Sequence, residues 1–272
     1  MSVDIGALAT ILRDAAKAEV LPRFRRLDAG MVKTKTSAID LVTEADEAAE
    51  RFIKARVAEL APGALFVGEE SVAADPALLD ALADADLSVV VDPIDGTANY
   101  AAGLPLFAVM ASVVSKGETI VGIIYDPMGD DWMMAEKGSG AWLRRPNGEA
   151  VRMQIAQPLP LADMVGCASV AFMPAAARAD VLANFAKVRI VSNYRVAGHE
   201  YRTFVSGHAQ FLCYNKLMPW DHLAGTLMAQ EAGGYAARLD GSPYLPHHVD
   251  GGLIVATDQD CWQQLRREVF TY

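Results

Sequence analysis

The chain has 272 residues, 52% of them hydrophobic, enough to bury a sizeable core in one large domain or in two small ones packed together. Its 24 Lys and Arg against 34 Asp and Glu give a net charge of −10 with no basic run, which argues against nucleic acid as a partner. The three cysteines lack CxxC spacing, charges interrupt the N-terminal apolar stretch, and no apolar run is long enough to cross a bilayer, so the expected setting is a reducing cytoplasm without membrane attachment.

Ile5, Leu8, Leu12 and Ala15 repeat at helical spacing and predict a helix that ends near Leu21, because Pro22 disfavours helix in the residue before it. Thr43 and Asp46 have capping-box spacing and open a second helix, whose apolar stripe of Ala49, Phe52, Ile53, Val57 and Leu60 stops before Pro62. A short strand over 64–67 leads into Gly68-Glu69-Glu70-Ser71, and a buried β-branched strand over 87–91 leads into Asp92-Pro93-Ile94-Asp95-Gly96-Thr97. Strands over 107–115, 119–125 and 131–135, separated by Lys116-Gly117 and Met128-Gly129, read as antiparallel hairpins. The turn-rich stretch from Arg144 to Pro160 places a boundary near Pro158, dividing an N-terminal α+β domain (1–157) from a C-terminal α/β domain (158–272). Beyond it the expected order is strand 164–168, helix 175–186, strand 188–192, helix 199–206, strand 210–213 and helix 219–233.

An acidic protein that handles an anionic substrate needs local positive charge, from a few basic side chains or from bound cations, which makes clustered carboxylates the place to look. Asp92 and Asp95 can converge on one hard cation with a backbone carbonyl between them, Gly96 admits a close phosphate, and a helix starting near Thr97 would aim N–H groups at it. On this motif alone, a turn between two strands reads equally well. Gly68-Glu69-Glu70-Ser71 reads as a solvated loop when taken singly, Asp40 to Asp46 as a helix N-terminus, and Trp220-Asp221 through Gly233-Gly234 as a capped helix.

Together and in this order, the four stretches resemble the inositol monophosphatase family of metal-dependent, lithium-sensitive phosphatases. The match comprises Asp40-Leu41-Val42-Thr43 with Asp46, Gly68-Glu69-Glu70-Ser71, Asp92-Pro93-Ile94-Asp95-Gly96-Thr97-Ala98-Asn99, and Trp220-Asp221 with Glu231-Ala232-Gly233-Gly234, spanning about residue 35 to residue 234. The resemblance implies a layered α/β/α/β/α sandwich of the sugar-phosphatase type that forms a homodimer, with the N-terminal part carrying most of the metal site. It implies two or three Mg²⁺ per active site, one held by Glu69, Asp92 and the Ile94 carbonyl and a second by Asp92, Asp95 and Asp221. A third ion would touch Glu69, and Glu70 would orient this shell. Asp46 and Thr97 would position and deprotonate the attacking water, and Glu69 shares the catalytic set through the ions it holds. The Gly96 and Thr97 N–H groups would hold phosphate oxygens, and Lys35 matches a basic position near the site.

The implied substrate is a small phosphorylated alcohol, a polyol or sugar phosphate such as inositol 1-phosphate. Histidinol phosphate and fructose 1,6-bisphosphate are the alternatives, and some bacterial relatives act as regulatory binding proteins of the transcription machinery. Where many inositol-phosphate-specific members carry a glutamate, seven residues before the final aspartate, this chain has Tyr214. Gly198-His199-Glu200 aligns with a family stretch of small residues, so Gly198, His199, Glu200 and Tyr214 are the expected substrate-pocket walls, Glu200 replacing the missing acid or standing solvated at a helix start. His208, His222, His247 and His248 show no metal-ligand spacing and are expected on loops or helix surfaces.

Overall fold

The computed structural model describes residues 3–27, 32–34 and 41–272. Lys35 and Asp40 lie outside the described residues. Helix α1 (Ile5–Ala15) starts at Asp4, whose carboxylate accepts from the Ala7 N–H at 2.9 Å, and continues as a π-helical turn over Ala16–Val20. Strands β1 (Val32–Thr34) and β2 (Leu41–Thr43) pair antiparallel, and α2 (Glu44–Leu60) follows with its capping box formed: Thr43 accepts from the helix and Asp46 accepts from Thr43.

A seven-stranded sheet comes next, in the order β3-β4-β5-β6-β7-β8-β9. Its strands are β3 (Leu65–Gly68), β4 (Leu87–Asp95), β5 (Ala108–Ser115), β6 (Glu118–Asp126), β7 (Asp131–Glu136), β8 (Ala141–Arg144) and β9 (Ala150–Arg152). Only the β3–β4 pair is parallel, and the helices α3 (Glu69–Ala74) and α4 (Ala77–Asp84) fill the crossover between them. The short helix α5 (Thr97–Ala101) follows β4. From β5 to β7 the strands form the expected antiparallel hairpins.

The remaining elements are β10 (Val165–Ala168), α6 (Ala175–Asn184), β11 (Ile190–Ser192), α7 (Ala197–Val205), β12 (Phe211–Tyr214), α8 (Pro219–Glu231), β13 (Tyr235–Arg238), β14 (Leu253–Ala256) and α9 (Gln259–Glu268). Their five strands make a second sheet in the order β11-β10-β12-β14-β13.

Alternation along β5 shows how the layers stack. Val109, Ala111 and Val113 enter the core beneath α1 and α2, whereas Ala108 and Met110 enter the core shared with α7 and α8. A sheet covered on both faces must be apolar on both, which is why β4 to β6 read as near-continuous hydrophobic runs. α8 is buried around nearly its whole circumference because it lies between the two sheets, and the outer face of the second sheet is closed by α6 and α9. The order is therefore α/β/α/β/α, the layered architecture implied by the motifs.

One difference from the sequence reading decides the site. β4 does not end at Val91 but runs through Asp95. Its pairing with β5 slips on the way: Asp92 opposes Met110 and Asp95 opposes Ala108, so two residues, Pro93 and Ile94, face one, Val109. In a regular strand, residues three apart point to opposite faces. This bulge inserts the extra residue that turns both carboxylates to the same side.

Candidate active site

A cavity of about 340 Å³ opens where β4, α3, α5, α7, β12 and α8 meet. Glu69, Asp92, Ile94, Asp95, Gly96, Thr97, Glu200, Tyr214 and Asp221, each singled out from the sequence, line it. Asp92, Asp95 and Asp221 offer oxygens that all lie within 4.8 Å of one another. Asp221 comes from the first turn of α8, where Pro219 occupies the start of the helix.

Burial is the main cause that pushes Asp92 and Asp95 well above the ordinary carboxylate range. For Asp92 the charge of Glu69 adds to it, followed by Asp95 and Asp221; for Asp95 the charge of Asp221 does the same. Buried carboxylates this close need a cation or shared protons. An all-oxygen donor set of this kind suits a hard divalent ion, so the residues fit the metal that the motifs imply.

Asp95 has a second attachment. Its two oxygens accept the N–H groups of Ala197 at 3.1 Å and Gly198 at 2.5 Å, which ties the end of β4 to the first turn of α7. Gly198 therefore serves the carboxylate rather than the cavity. A Cβ there would stand 2.9 Å from Asp95 Oδ2 and 3.0 Å from Met110 Sδ. His199 also departs from expectation: its ring turns away from the cavity to the carbonyl of Phe107 at 3.0 Å, beside Asp126. Helical geometry accounts for this, since neighbouring residues on a helix point about 100° apart and α7 gives its cavity side to Glu200.

Thr97 begins α5 after Gly96, whose φ of +87° glycine adopts without strain. The Thr97 hydroxyl has Ile94 O at 2.9 Å and Asp46 Oδ1 at 3.1 Å within reach. Asp46 lies beneath it, fully buried, its other oxygen taking the N–H and hydroxyl of Thr43 at 2.8 and 2.5 Å. Burial holds Asp46 at about 7, against the lowering pull of the Thr43 hydroxyl.

The sequence reading passed over Glu50. It is 5% exposed on α2, and its carboxylate accepts from the Glu70 N–H at 2.7 Å, the Ser71 N–H at 2.8 Å and the Ser71 hydroxyl at 2.6 Å. Glu50 thus holds the first turn of α3, the turn that starts with Glu69 and Glu70. Gly68 is required by the same contact, because a Cβ there would sit 2.3 Å from Glu50 Cδ. The legible signal was an acid four residues after Asp46 on the helix face that carries Ile53 and Val57 inward.

His222 corrects another expectation, being 2% exposed rather than on a helix surface. Its Nε2 bonds the Lys216 carbonyl at 2.9 Å and its Nδ1 faces the Tyr201 hydroxyl at 3.2 Å, and burial pushes its pKa down to about 4, so the ring is neutral. Glu200 is likewise buried, not solvated.

A carboxylate cage set between two sheets in this order of layers is the arrangement of a metal-dependent phosphatase. The model of the inositol monophosphatase family matches residues 4–269. An inositol-1-monophosphatase of Caulobacter vibrioides is 31% identical over 237 residues, covering 85% of this chain and 88% of its own. A histidinol-phosphatase of Streptomyces coelicolor is 31% identical over 244 residues, covering 87% of each. The crystal structure of the extragenic suppressor protein suhB from Bartonella henselae superposes with a TM-score of 0.84 at 25% identity, covering 99% of both chains. The chain belongs to the inositol monophosphatase family and is a phosphoric monoester hydrolase.

Proposed function

We propose that the chain is a Mg²⁺-dependent phosphatase that hydrolyses the phosphate ester of a small polyol, sugar or related alcohol. The observation that carries this reading is the convergence of Asp92, Asp95 and Asp221 beside the Thr97–Asp46 pair. Glu69, Asp92 and the Ile94 carbonyl would hold one Mg²⁺ and Asp92, Asp95 and Asp221 a second, with room for a third at Glu69. When bound, the ions supply charge that stabilises the attacking and leaving oxygens of an in-line displacement.

The chain's own groups would do the rest. Thr97 has one hydroxyl proton, and with Asp46 ionised and held by Thr43 that proton has a fixed acceptor. The Thr97 oxygen then accepts from the attacking water and orients it. Gly96 and Thr97 stand at the start of α5, where main-chain N–H groups have no partners inside the helix and suit phosphate oxygens. The reading includes inhibition by Li⁺, a homodimer and a cytoplasmic setting. Among the described residues, no helix is long and apolar enough to cross a membrane.

The test is phosphate release from inositol 1-phosphate, fructose 1,6-bisphosphate and histidinol phosphate, with and without Mg²⁺. Turnover should require Mg²⁺ and vanish in Asp92→Asn and Asp221→Asn; undiminished turnover in chelated buffer would overturn the reading.

A further inference from the structure

Two helices serve the second ion site, and a pair of buried side chains joins them to each other. The first turn of α7 holds Asp95 through the Ala197 and Gly198 N–H groups, and the first turn of α8 carries Asp221. Tyr201 stands one turn along α7 from Ala197, and His222 follows Asp221 directly. Both are buried, Tyr201 completely. The His222 Nε2 meets the Lys216 carbonyl at 2.9 Å. A carbonyl can only accept, so that nitrogen carries the ring proton, and the neutral ring leaves Nδ1 to accept from the Tyr201 hydroxyl at 3.2 Å.

The ring of Tyr201 is seated as closely as its hydroxyl. Gly225 lies one turn along α8 from Asp221, and a Cβ there would stand 2.1 Å from the Tyr201 ring, so α8 has a notch that the ring enters. On the first sheet, Gly122 of β6 admits α8 in the same way, since a Cβ there would stand 2.8 Å from Ala224 Cα. Such notches fix how near the layers approach. A hydrogen bond adds a constraint on how far one helix turns or slides past the other, because it weakens steeply as its angle opens. The ion held by Glu69, Asp92 and the Ile94 carbonyl draws only on α3 and β4 and gains nothing from this join.

We propose that Tyr201 and His222 are positioning residues that set the spacing of Asp95 and Asp221, and so tune the affinity of the second ion through those carboxylates rather than by contact with the ion. Breaking the bond costs twice over, since it leaves a buried hydroxyl and a buried ring nitrogen unpaired and frees the two helix starts to shift.

The inference rests on the phosphatase reading with its two ions, and the experiment keeps the two separable. Mn²⁺, a hard divalent ion that suits the same oxygen donors, is titrated into the metal-free protein and the free ion is counted by electron paramagnetic resonance; the binding lost in Asp221→Asn defines the second site. In Tyr201→Phe, which keeps the ring in the Gly225 notch, that binding should weaken on the order of fivefold while the rest is kept. The Mg²⁺ concentration for half-maximal turnover of 4-nitrophenyl phosphate should rise by a similar factor, with a smaller change in kcat at saturating Mg²⁺. His222→Gln, which offers an N–H to Lys216 and an oxygen to Tyr201, should bind the second ion more tightly than His222→Phe. Because the pair shares one bond, adding Tyr201→Phe to His222→Phe should weaken binding no further. A change of less than about twofold in second-site binding by Tyr201→Phe, whatever happens to its Tm in chelator, overturns the proposal, and so do multiplying losses in the double variant. Wild-type protein that binds Mn²⁺ without turnover, or Asp221→Asn that loses no Mn²⁺, overturns the phosphatase reading instead.

Discussion

Replacing Glu50 with alanine should damage both stability and metal binding, although Glu50 is not among the cavity-lining residues. The substitution removes acceptors for the Glu70 N–H, the Ser71 N–H and the Ser71 hydroxyl. Hydrogen bonds to a charged partner contribute about 1.5–3 kcal/mol each, and the lost interaction with the helix dipole adds roughly 0.5 kcal/mol. Glu70 and Ser71 are partly exposed, so water replaces some of what is lost. A net cost of about 3–5 kcal/mol follows, a fall in Tm on the order of 10 °C for a chain of this size. The melt should be followed by circular dichroism in chelator, which separates folding from metal binding, and Mg²⁺ affinity should be titrated afterwards on the folded variant. Glu50→Gln, which keeps one acceptor oxygen but turns an amide N–H₂ toward a donor, should fall between wild type and alanine. A metal-free Glu50→Ala protein that melts within about 2 °C of wild type would refute the assigned role, since it would mean that the three bonds contribute less than roughly 1 kcal/mol together.

Gly68→Ala should destabilise by forcing a Cβ into the Glu50 carboxylate, and its cost should shrink in a Glu50→Ala background; additive effects in the double-mutant cycle would show that the contact is not the reason for the glycine. Thr97→Val should lower kcat by about 10²–10⁴ while calorimetric Mg²⁺ affinity is kept, whereas parallel losses of both would make Thr97 a metal-site residue first. Asp46 near 7 and the raised Asp92 and Asp95 mean that the metal-free fold binds protons which the unfolded chain has released. Their stabilising effect is therefore full below the ordinary carboxylate range and is lost as pH rises through about 7, so the metal-free Tm should drop between pH 5 and pH 8. Over the same interval the Tm gained on adding Mg²⁺ should grow; a gain that is flat with pH would count against protonation of the cage.

Much of this was legible because local chemistry and position agree. The Asp92 to Thr97 motif, the Thr43–Asp46 cap and Pro219 at the head of α8 have meanings that hold within a few residues. The inward place of Glu50 on α2 was legible, but its role was not, because its partners lie 20 and 21 positions away. His222 was misjudged for a related reason: it follows Asp221 on a helix that two sheets bury, and nothing local to 219–231 announces the second sheet. The edge strand β9 is exposed throughout and so lacks an alternating pattern, while β13, β14 and α9 fall beyond the last motif. The four motifs could be put in order from sequence. Which neighbours turn toward them, as Glu200 does and His199 does not, depended on how α7 docks.

The bulge in β4 makes ion affinity a report on long-range assembly. A peptide containing residues 87–101 carries the whole acidic motif, yet without β5 opposite it there is nothing to hold the slipped register that aims Asp92 and Asp95 together. Asp221 is contributed from more than a hundred positions further along the chain. Tight divalent-ion binding should consequently appear late in refolding, after the β4–β5 pairing and the docking of α8, and the ion should act as a lock on the finished fold rather than a seed for it.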